Sequence, residues 1–199
     1  MGMSKVVKQT NDVFISEADQ YVFGQGTHYE IYKKLGAHMC THDGKDGVFF
    51  AVWAPNAQDV YVIGEFNGWN ETANKMERIG EGGIYTTFIE NVSEGQMYKY
   101  LIELADGRKL YKADPYANYA ELRPGTASRV YDLNHFEWND SKWMTAREKK
   151  DMNKEPLAIY ECHIGSWMKH PDGTEDGFYT YRQFADRMIE YLKDMPYTH

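Results

Sequence analysis

The stretch Gly47-Val48-Phe49-Phe50-Ala51-Val52-Trp53-Ala54 marks the point at which the hydrophobic pattern of the chain becomes that of β-strands. Aromatic and β-branched residues dominate it, as they do in strands of folded proteins. Working outward, turn dipeptides such as Asp46-Gly47 and Asp106-Gly107 separate further runs of this kind. The predicted strands are residues 48–54, 60–64, 84–90, 97–104, 109–112 and 129–133. Short strands joined by tight turns predict a mainly β fold, an antiparallel β-sandwich.

The region before the first strand is predicted to be a short helical segment. We expect residues 1–15 to be frayed and Ser16 to cap a short helix. Thr27 and Glu30 form a capping-box pattern that predicts a second short helix, with Gly36 as its end.

The C-terminal region changes pattern again. Residues 157–162 form a short apolar run without alternation, which is typical of a strand covered on both faces. Thr180 and Gln183 then form a capping box, and apolar residues follow at helical spacing. One strand and one helix predict a single βα unit. The predicted domains are residues 1–24 (N-terminal segment), 25–138 (sandwich), 139–156 (connector) and 157–199 (βα unit).

Composition excludes several classes of function. The chain has 22 basic and 30 acidic residues and a net charge of −8, which argues against binding nucleic acid. No apolar run approaches the length of a membrane span, and residues 1–10 lack the pattern of a signal peptide, so we expect a cytoplasmic protein. Cys40 and Cys162 lack the spacing of a metal site, and no motif for a metal or cofactor is found. We expect both cysteines to be free thiols in a reducing compartment.

A turn carries the candidate binding site. Trp69 follows Asn67-Gly68 and is flanked by Asn70. The C–H faces of sugar rings pack on an indole, and sugar hydroxyls pair with side-chain amides, so this turn is a candidate sugar platform. The alternative is that Trp69 covers one end of the core, as large aromatic residues usually do. We interpret Trp53 as a core residue and Asp114, which precedes Pro115, as part of a turn.

The residues around this turn resemble a known family. Val52-Trp53-Ala54-Pro55-Asn56-Ala57, followed by Gly64-Glu65-Phe66-Asn67-Gly68-Trp69, is similar to the family 48 carbohydrate-binding module. That module is an immunoglobulin-like sandwich attached to enzymes that act on α-glucans. The resemblance covers about residues 25–138 and includes the motifs at 98–100, 112–117 and 123–128.

The resemblance implies a set of site residues. In glycogen-binding members, two aromatic platforms flank a lysine and a polar loop. These features fall on Trp69 and Tyr111 for the platforms, Lys99 for the lysine and Thr126 for the loop. Tyr111 replaces a tryptophan of those members, and Ser128 replaces an asparagine. The resemblance leaves two possibilities: binding of α-glucan such as glycogen or malto-oligosaccharide, or a scaffold that binds nothing.

The C-terminal unit resembles the opening of a family 13 α-amylase-type barrel. Tyr160-Glu161-Cys162-His163-Ile164-Gly165-Ser166-Trp167 is most similar to 1,4-α-glucan branching enzymes. The alternative is a debranching or trehalose-releasing hydrolase. The family's catalytic carboxylates lie on later strands of a barrel of about 250 residues. We therefore assign no catalytic residue, interpret His163 as structural, and expect this chain to be inactive by itself. An unpaired C-terminal helix would also allow self-association.

Overall fold

The computed structural model describes residues 13–151, 153–169 and 177–199. The chain divides into two compact units, Met1–Glu137 and Trp138–His199. Among the described residues, no helix is long and apolar enough to cross a membrane.

The described part of the first unit contains nine β-strands in two antiparallel sheets. In chain order they are β1 (Gly36–His42), β2 (Lys45–Trp53), β3 (Ala57–Gly64), β4 (Glu77–Ile79), β5 (Ile84–Glu90), β6 (Met97–Leu104), β7 (Lys109–Lys112), β8 (Tyr119–Ala120) and β9 (Ser128–Arg129). The first sheet has the order β1-β2-β5-β4, and the second has the order β3-β6-β9-β8 with β7 paired to β6. The mainly β, sandwich-type fold expected from the sequence is confirmed.

The main core lies between the two sheets. Alternate residues of β2 and β5 face alternate residues of β3 and β6, as the two-residue period of a strand requires. Phe50 and Tyr98 meet edge to face, with ring centroids 5.1 Å apart. Burial of these side chains is the main stabilising term, at about 25 cal/mol per Å² of apolar surface.

A second apolar cluster covers the opposite face of the first sheet. Phe49, Ala51 and Ile84 point away from the main core and pack against the segment that precedes β1. Phe14 packs edge to face on Phe49, with ring centroids 4.8 Å apart, and Val13 is only 5% exposed. Strand β2 is therefore buried on both faces, which explains why its sequence is a continuous apolar run rather than an alternating one.

The N-terminal segment differs in part from its prediction. The helix α1 (Glu17–Gly24) begins at Ser16 with a capping box, as expected. The prediction of a frayed segment is wrong for residues 13–15, which pack on the sheet, while residues 1–12 lie outside the described residues. The second predicted helix is only a 3-10 turn at Ile31–Lys33, and Gly36 opens strand β1.

The interpretation of Trp53 as a core residue is wrong, whereas Asp114 forms the expected turn and has a second role. Trp53 is 52% exposed rather than buried, and its Nε1 donates to the carbonyl of Gly82 at 2.9 Å. Asp114 does form a turn, since its Oδ1 accepts from the Tyr116 N–H at 2.8 Å, but it is also buried. Its Oδ2 accepts from the hydroxyls of Tyr98 at 2.7 Å and Tyr100 at 3.1 Å. Asp114 thus satisfies two phenols within the core.

The second unit contains three helices among its described residues: α2 (Ser141–Glu148), α3 (Ile164–Trp167) and α4 (Tyr181–Leu192). The predicted connector therefore includes the helix α2. Thr180 caps α4, and its capping box with Gln183 is as expected. The apolar stripe of α4 packs partly within its own unit, because Trp167 meets Phe184 at 5.3 Å and Tyr191 at 5.4 Å.

The predicted strand at residues 157–162 is not formed. In the described part of the chain, its backbone bonds are confined to Ala158 and Tyr160, which pair with the last two residues of the chain, for example from Thr198 N–H to the Ala158 carbonyl and from Tyr160 N–H to the His199 carbonyl, both 2.8 Å. Ile159 is 63% exposed. A strand is stable only when neighbouring strands complete its hydrogen-bond ladder, and the described residues supply none along this run.

Candidate functional site

The candidate site lies on the outer face of the second sheet, the face turned away from the main core. Tyr98 and Tyr100 of β6 point inward, so Lys99 and Leu101 point outward. Tyr111 of β7 is the register partner of Leu101 and therefore lies on the same face. Tyr111 and Lys99 are diagonal neighbours, about 7–8 Å apart along the sheet and within reach of long side chains.

This face has a buried apolar floor. Leu101 is 0% exposed and Ile63 is 3% exposed, yet neither belongs to the main core or to the cluster on the first sheet. Other side chains of the outer face must therefore cover these two residues and keep water away from them. Tyr111 remains partly exposed there, at 49%, and Trp69, on the loop after β3, is 38% exposed.

The loop after β3 sets the backbone of Trp69. A 3-10 turn at Glu65–Asn67 leads into Gly68 and Trp69, which have positive φ values of 63° and 61°. The N–H of Trp69 donates to the carbonyl of Gly64 at 2.8 Å. Gly64 has no room for a side chain, because a Cβ there would collide with the carbonyl of Met97 on β6. The loop is therefore closely packed against β6.

Asn67 supports this loop through its side chain. Its Oδ1 accepts from the N–H of Gly64 at 3.0 Å, and its Nδ2 donates to the carbonyl of Val62 at 2.9 Å and to Asn74 Oδ1 at 2.7 Å. These bonds give the amide a structural role at the base of the loop. Asn70 is exposed, and its Oδ1 accepts from the N–H and the hydroxyl of Thr72 at 2.9 and 3.0 Å.

Lys99 and Thr126 meet directly. The Nζ of Lys99 donates to Thr126 Oγ1 at 2.8 Å, which joins β6 to the loop before β9. Ser128, where the resemblance expects an asparagine, is buried instead, and its Oγ accepts from the N–H of Asp114 at 2.8 Å. The polar group at position 128 therefore belongs to the interior.

Glu71 is a residue of this face that sequence reasoning missed. One carboxylate oxygen accepts from the Tyr111 hydroxyl, and the other lies 2.8 Å from Lys109 Nζ. The hydrogen bonds from Lys109 and Tyr111 lower the pKa of the Glu71 carboxyl. The only feature of the sequence that could have identified Glu71 is its position two residues after Trp69. Its hydrogen-bond partners lie about 40 positions further along the chain, so no local pattern connects them.

The site is a shallow surface rather than a cavity. A groove of about 360 Å³ lies elsewhere in the first unit and is lined in part by Tyr32, His38, Asn118 and Tyr131. No group of histidine, cysteine or acidic residues suited to a metal ion occurs in the described part of the chain. The outer face brings Lys99, Tyr111 and Thr126 together, and Glu71 bonds the loop that carries Trp69 to Tyr111.

Comparison with known proteins gives a consistent result. Residues 34–117 match the family described as carbohydrate-binding module 48 (isoamylase N-terminal domain). The chain is 70% identical over 187 residues to the 1,4-α-glucan branching enzyme of Butyrivibrio fibrisolvens, a match that covers 94% of this chain and 29% of that enzyme. The branching enzyme of Halothermothrix orenii is 48% identical over 94% of this chain and 29% of its own length. That of Bacillus caldolyticus is 45% identical over 92% of this chain and 27% of its own length. The chain thus spans under a third of the length of these relatives.

Proposed function

Because the chain corresponds to the N-terminal part of the 1,4-α-glucan branching enzymes and carries a module of carbohydrate-binding family 48, we propose that its outer face binds α-glucan. Trp69 and Tyr111 provide aromatic faces for sugar rings. Lys99 and Thr126 provide hydrogen-bonding groups for sugar hydroxyls. The ligand class is glycogen or malto-oligosaccharide.

The single observation that supports this proposal best is the arrangement on the outer face. The half-exposed Tyr111 ring and the Lys99–Thr126 pair occur together above a buried floor, and Glu71 bonds the loop of the partly exposed Trp69 to Tyr111. Exposed aromatic residues on a strand or on a loop held by hydrogen bonds lose little conformational entropy on binding, which favours recognition. A long glucan chain needs an open surface of this kind rather than an enclosed pocket.

We propose a supporting role for this surface in a larger enzyme. The whole protein would transfer a segment of glucan from an α-1,4 linkage to a 6-hydroxyl in glycogen biosynthesis. The module would hold the polymer while catalytic carboxylates act elsewhere, since no residue of the chain is assigned to catalysis. The relatives described above are all branching enzymes, at 45–70% identity, which favours this over a debranching or trehalose-releasing hydrolase.

Two further properties belong to the same proposal. A cytoplasmic location fits the free thiols of Cys40 and Cys162, since reducing compartments preserve thiols. Self-association through α4 would use the part of that helix that stays exposed, with Tyr181 and Ile189 as its apolar residues.

Affinity electrophoresis in glycogen-containing native gels tests glucan binding. Trp69→Ala is expected to weaken binding by about 1–3 kcal/mol, the scale of burying a large apolar side chain against a ligand. Trp143→Ala is the matched control, because Trp143 is also exposed but lies in the second unit. Equal retardation of the wild type and Trp69→Ala would favour the alternative, a scaffold without a glucan site. One observation favours that alternative: the side-chain amide of Asn67 donates its hydrogen bonds to the loop and is therefore not available to a ligand.

A further inference from the structure

Glu71 connects two parts of the outer face that are far apart in sequence. Its carboxylate accepts from the Tyr111 hydroxyl on one oxygen and from Lys109 Nζ, at 2.8 Å, on the other. Lys109 also lies 3.2 Å from Glu103 on β6. Because Glu71 follows Trp69 by two positions, these bonds attach the Trp69 loop to strand β7.

These bonds determine what Tyr111 offers to a ligand. Its hydroxyl is already donated to Glu71, and the ring is half exposed. The ring face is therefore the part available to a sugar. The hydrogen bond to Glu71 raises the pKa of Tyr111, and the bonds from Lys109 and Tyr111 lower the pKa of Glu71. At neutral pH the pair is a carboxylate and a neutral phenol, which is the state that makes a strong charge-assisted bond.

We propose that Glu71 is a positioning residue for glucan binding, whose carboxylate holds the Tyr111 ring at a fixed spacing from the Trp69 indole. This inference rests on the proposed function of the outer face. Glu71 acts through Tyr111 and makes no contact with the sugar itself. When one glucan chain contacts both rings, a fixed spacing removes the entropy cost of ordering them on binding. This is the general advantage of preorganisation.

Binding of maltoheptaose, measured by titration calorimetry, tests the proposal with a double-mutant cycle. Glu71→Ala and Tyr111→Phe each remove the bond while leaving both rings, and each is expected to weaken binding by about 3- to 10-fold. The double variant is expected to bind as weakly as either single variant, because the two changes remove one interaction. Glu71→Gln keeps an oxygen acceptor for Tyr111 and is expected to restore affinity to within about twofold of the wild type.

The control is Glu103→Gln, which removes a carboxylate from the same face without a bond to Tyr111, and its affinity is expected to be unchanged. Additive losses in the double variant would overturn the proposal, because Glu71 would then contact the sugar independently of Tyr111. An unchanged affinity in Glu71→Ala would also overturn it. If Trp69→Ala retains full affinity, the proposed function of this face fails instead, and the two failures are thereby distinguished.

A measurement without ligand tests the positioning directly. In protein labelled with 5-fluorotryptophan, the ¹⁹F resonance of Trp69, identified with Trp69→Phe, reports the surroundings of its ring. Glu71→Ala and Tyr111→Phe are expected to shift and broaden this resonance in the same way, while Glu71→Gln and Glu103→Gln leave it in place. A Trp69 resonance that is the same in all variants would overturn the proposal, whether or not the protein binds maltoheptaose.

Discussion

At the residue scale, the core is organised around one buried carboxylate. Asp114 accepts hydrogen bonds from two phenols, Tyr98 and Tyr100, and from the backbone N–H of Tyr116. Desolvation raises the pKa of Asp114, against the opposing effect of these hydrogen bonds. The carboxyl therefore fixes the turn after β7 to strand β6 through polar contacts inside an otherwise apolar core.

Asp114→Ala is expected to lower the free energy of unfolding by about 2–4 kcal/mol, because it leaves buried donors without an acceptor. Asp114→Asn keeps an acceptor and a similar volume, and it is expected to cost less. Urea denaturation of both variants checks this order. Equal stability of the wild type and Asp114→Ala would contradict the account of the core.

The same residue predicts a pH dependence. Because the pKa of Asp114 is raised in the folded state, the folded protein binds more protons than the unfolded one above about pH 4. The contribution of Asp114 is therefore fully present below the unfolded pKa and is lost as pH rises through the folded pKa. The stability of the wild type relative to Asp114→Asn is expected to fall over that window, measured as urea midpoints at successive pH values. A difference that rises with pH would show that the pKa is lowered instead.

Substitution of Lys99 is expected to weaken glucan binding less than substitution of Trp69. Its bond to Thr126 lies on the surface, so Lys99→Ala is expected to leave stability nearly unchanged. Affinity for maltoheptaose is expected to fall by about 1 kcal/mol, the usual contribution of one exposed hydrogen bond. Lys99→Met keeps most of the apolar stem and is the matched control for packing. A loss larger than that of Trp69→Ala, measured by calorimetry, would reverse the order assigned to these residues.

At the element scale, the loop between β3 and β4 is a rigid support for Trp69. Asn67→Ala removes three hydrogen bonds at the base of this loop and is expected to cost about 1–3 kcal/mol of stability. Asn70→Ala, a change of the same kind at an exposed position, is expected to cost less than about 0.5 kcal/mol. Thermal unfolding of the two variants checks the difference. If both changes cost the same, the assigned role of Asn67 is wrong.

The elements also show what the sequence could predict and why the rest escaped it. The bounds of β5, β6 and β7 agree with the predicted ranges, because each run contains strongly β-forming residues between turn dipeptides. Strand β1 was missed because Gly36, Ala37 and Met39 favour strands weakly. Its pairing with β2 and the cover of the N-terminal segment form it instead. The strand at residues 157–162 was predicted from a short apolar run without alternation, but its ladder needs partner strands that the described residues do not supply.

The candidate site, like the strands, could be predicted from the sequence only in part. Resemblance identified Trp69, Lys99, Tyr111 and Thr126 as candidates, and the structure places Lys99 and Tyr111 on one face of the second sheet, with Thr126 bonded to Lys99. The loop that carries Trp69 is joined to Tyr111 through Glu71. The floor of Ile63 and Leu101 and the bridge through Glu71 were not predicted. Both depend on strand register and on contacts between distant parts of the chain, which no local pattern records.

At the scale of the whole molecule, the two units differ in burial. The buried clusters belong to residues 13–130, whereas the described residues of the second unit are mostly exposed. Limited trypsin digestion is therefore expected to cut first within residues 139–156, where Arg147, Lys149 and Lys150 are exposed. A resistant fragment that contains the first unit and ends at Lys142 or at one of these residues is expected by mass spectrometry. Early cleavage within β2 or β6, with residues 157–199 intact, would contradict this assignment of the stable unit.

The central claim is that the outer face of the second sheet binds α-glucan. The most direct measurement is a ¹H–¹⁵N NMR titration of the protein with maltoheptaose. The account predicts shifts that saturate and cluster at residues 65–72, at Lys99, at Tyr111 and around Thr126. Shifts clustered instead at the groove lined by Tyr32 and Tyr131, or no shifts at millimolar ligand, would contradict it.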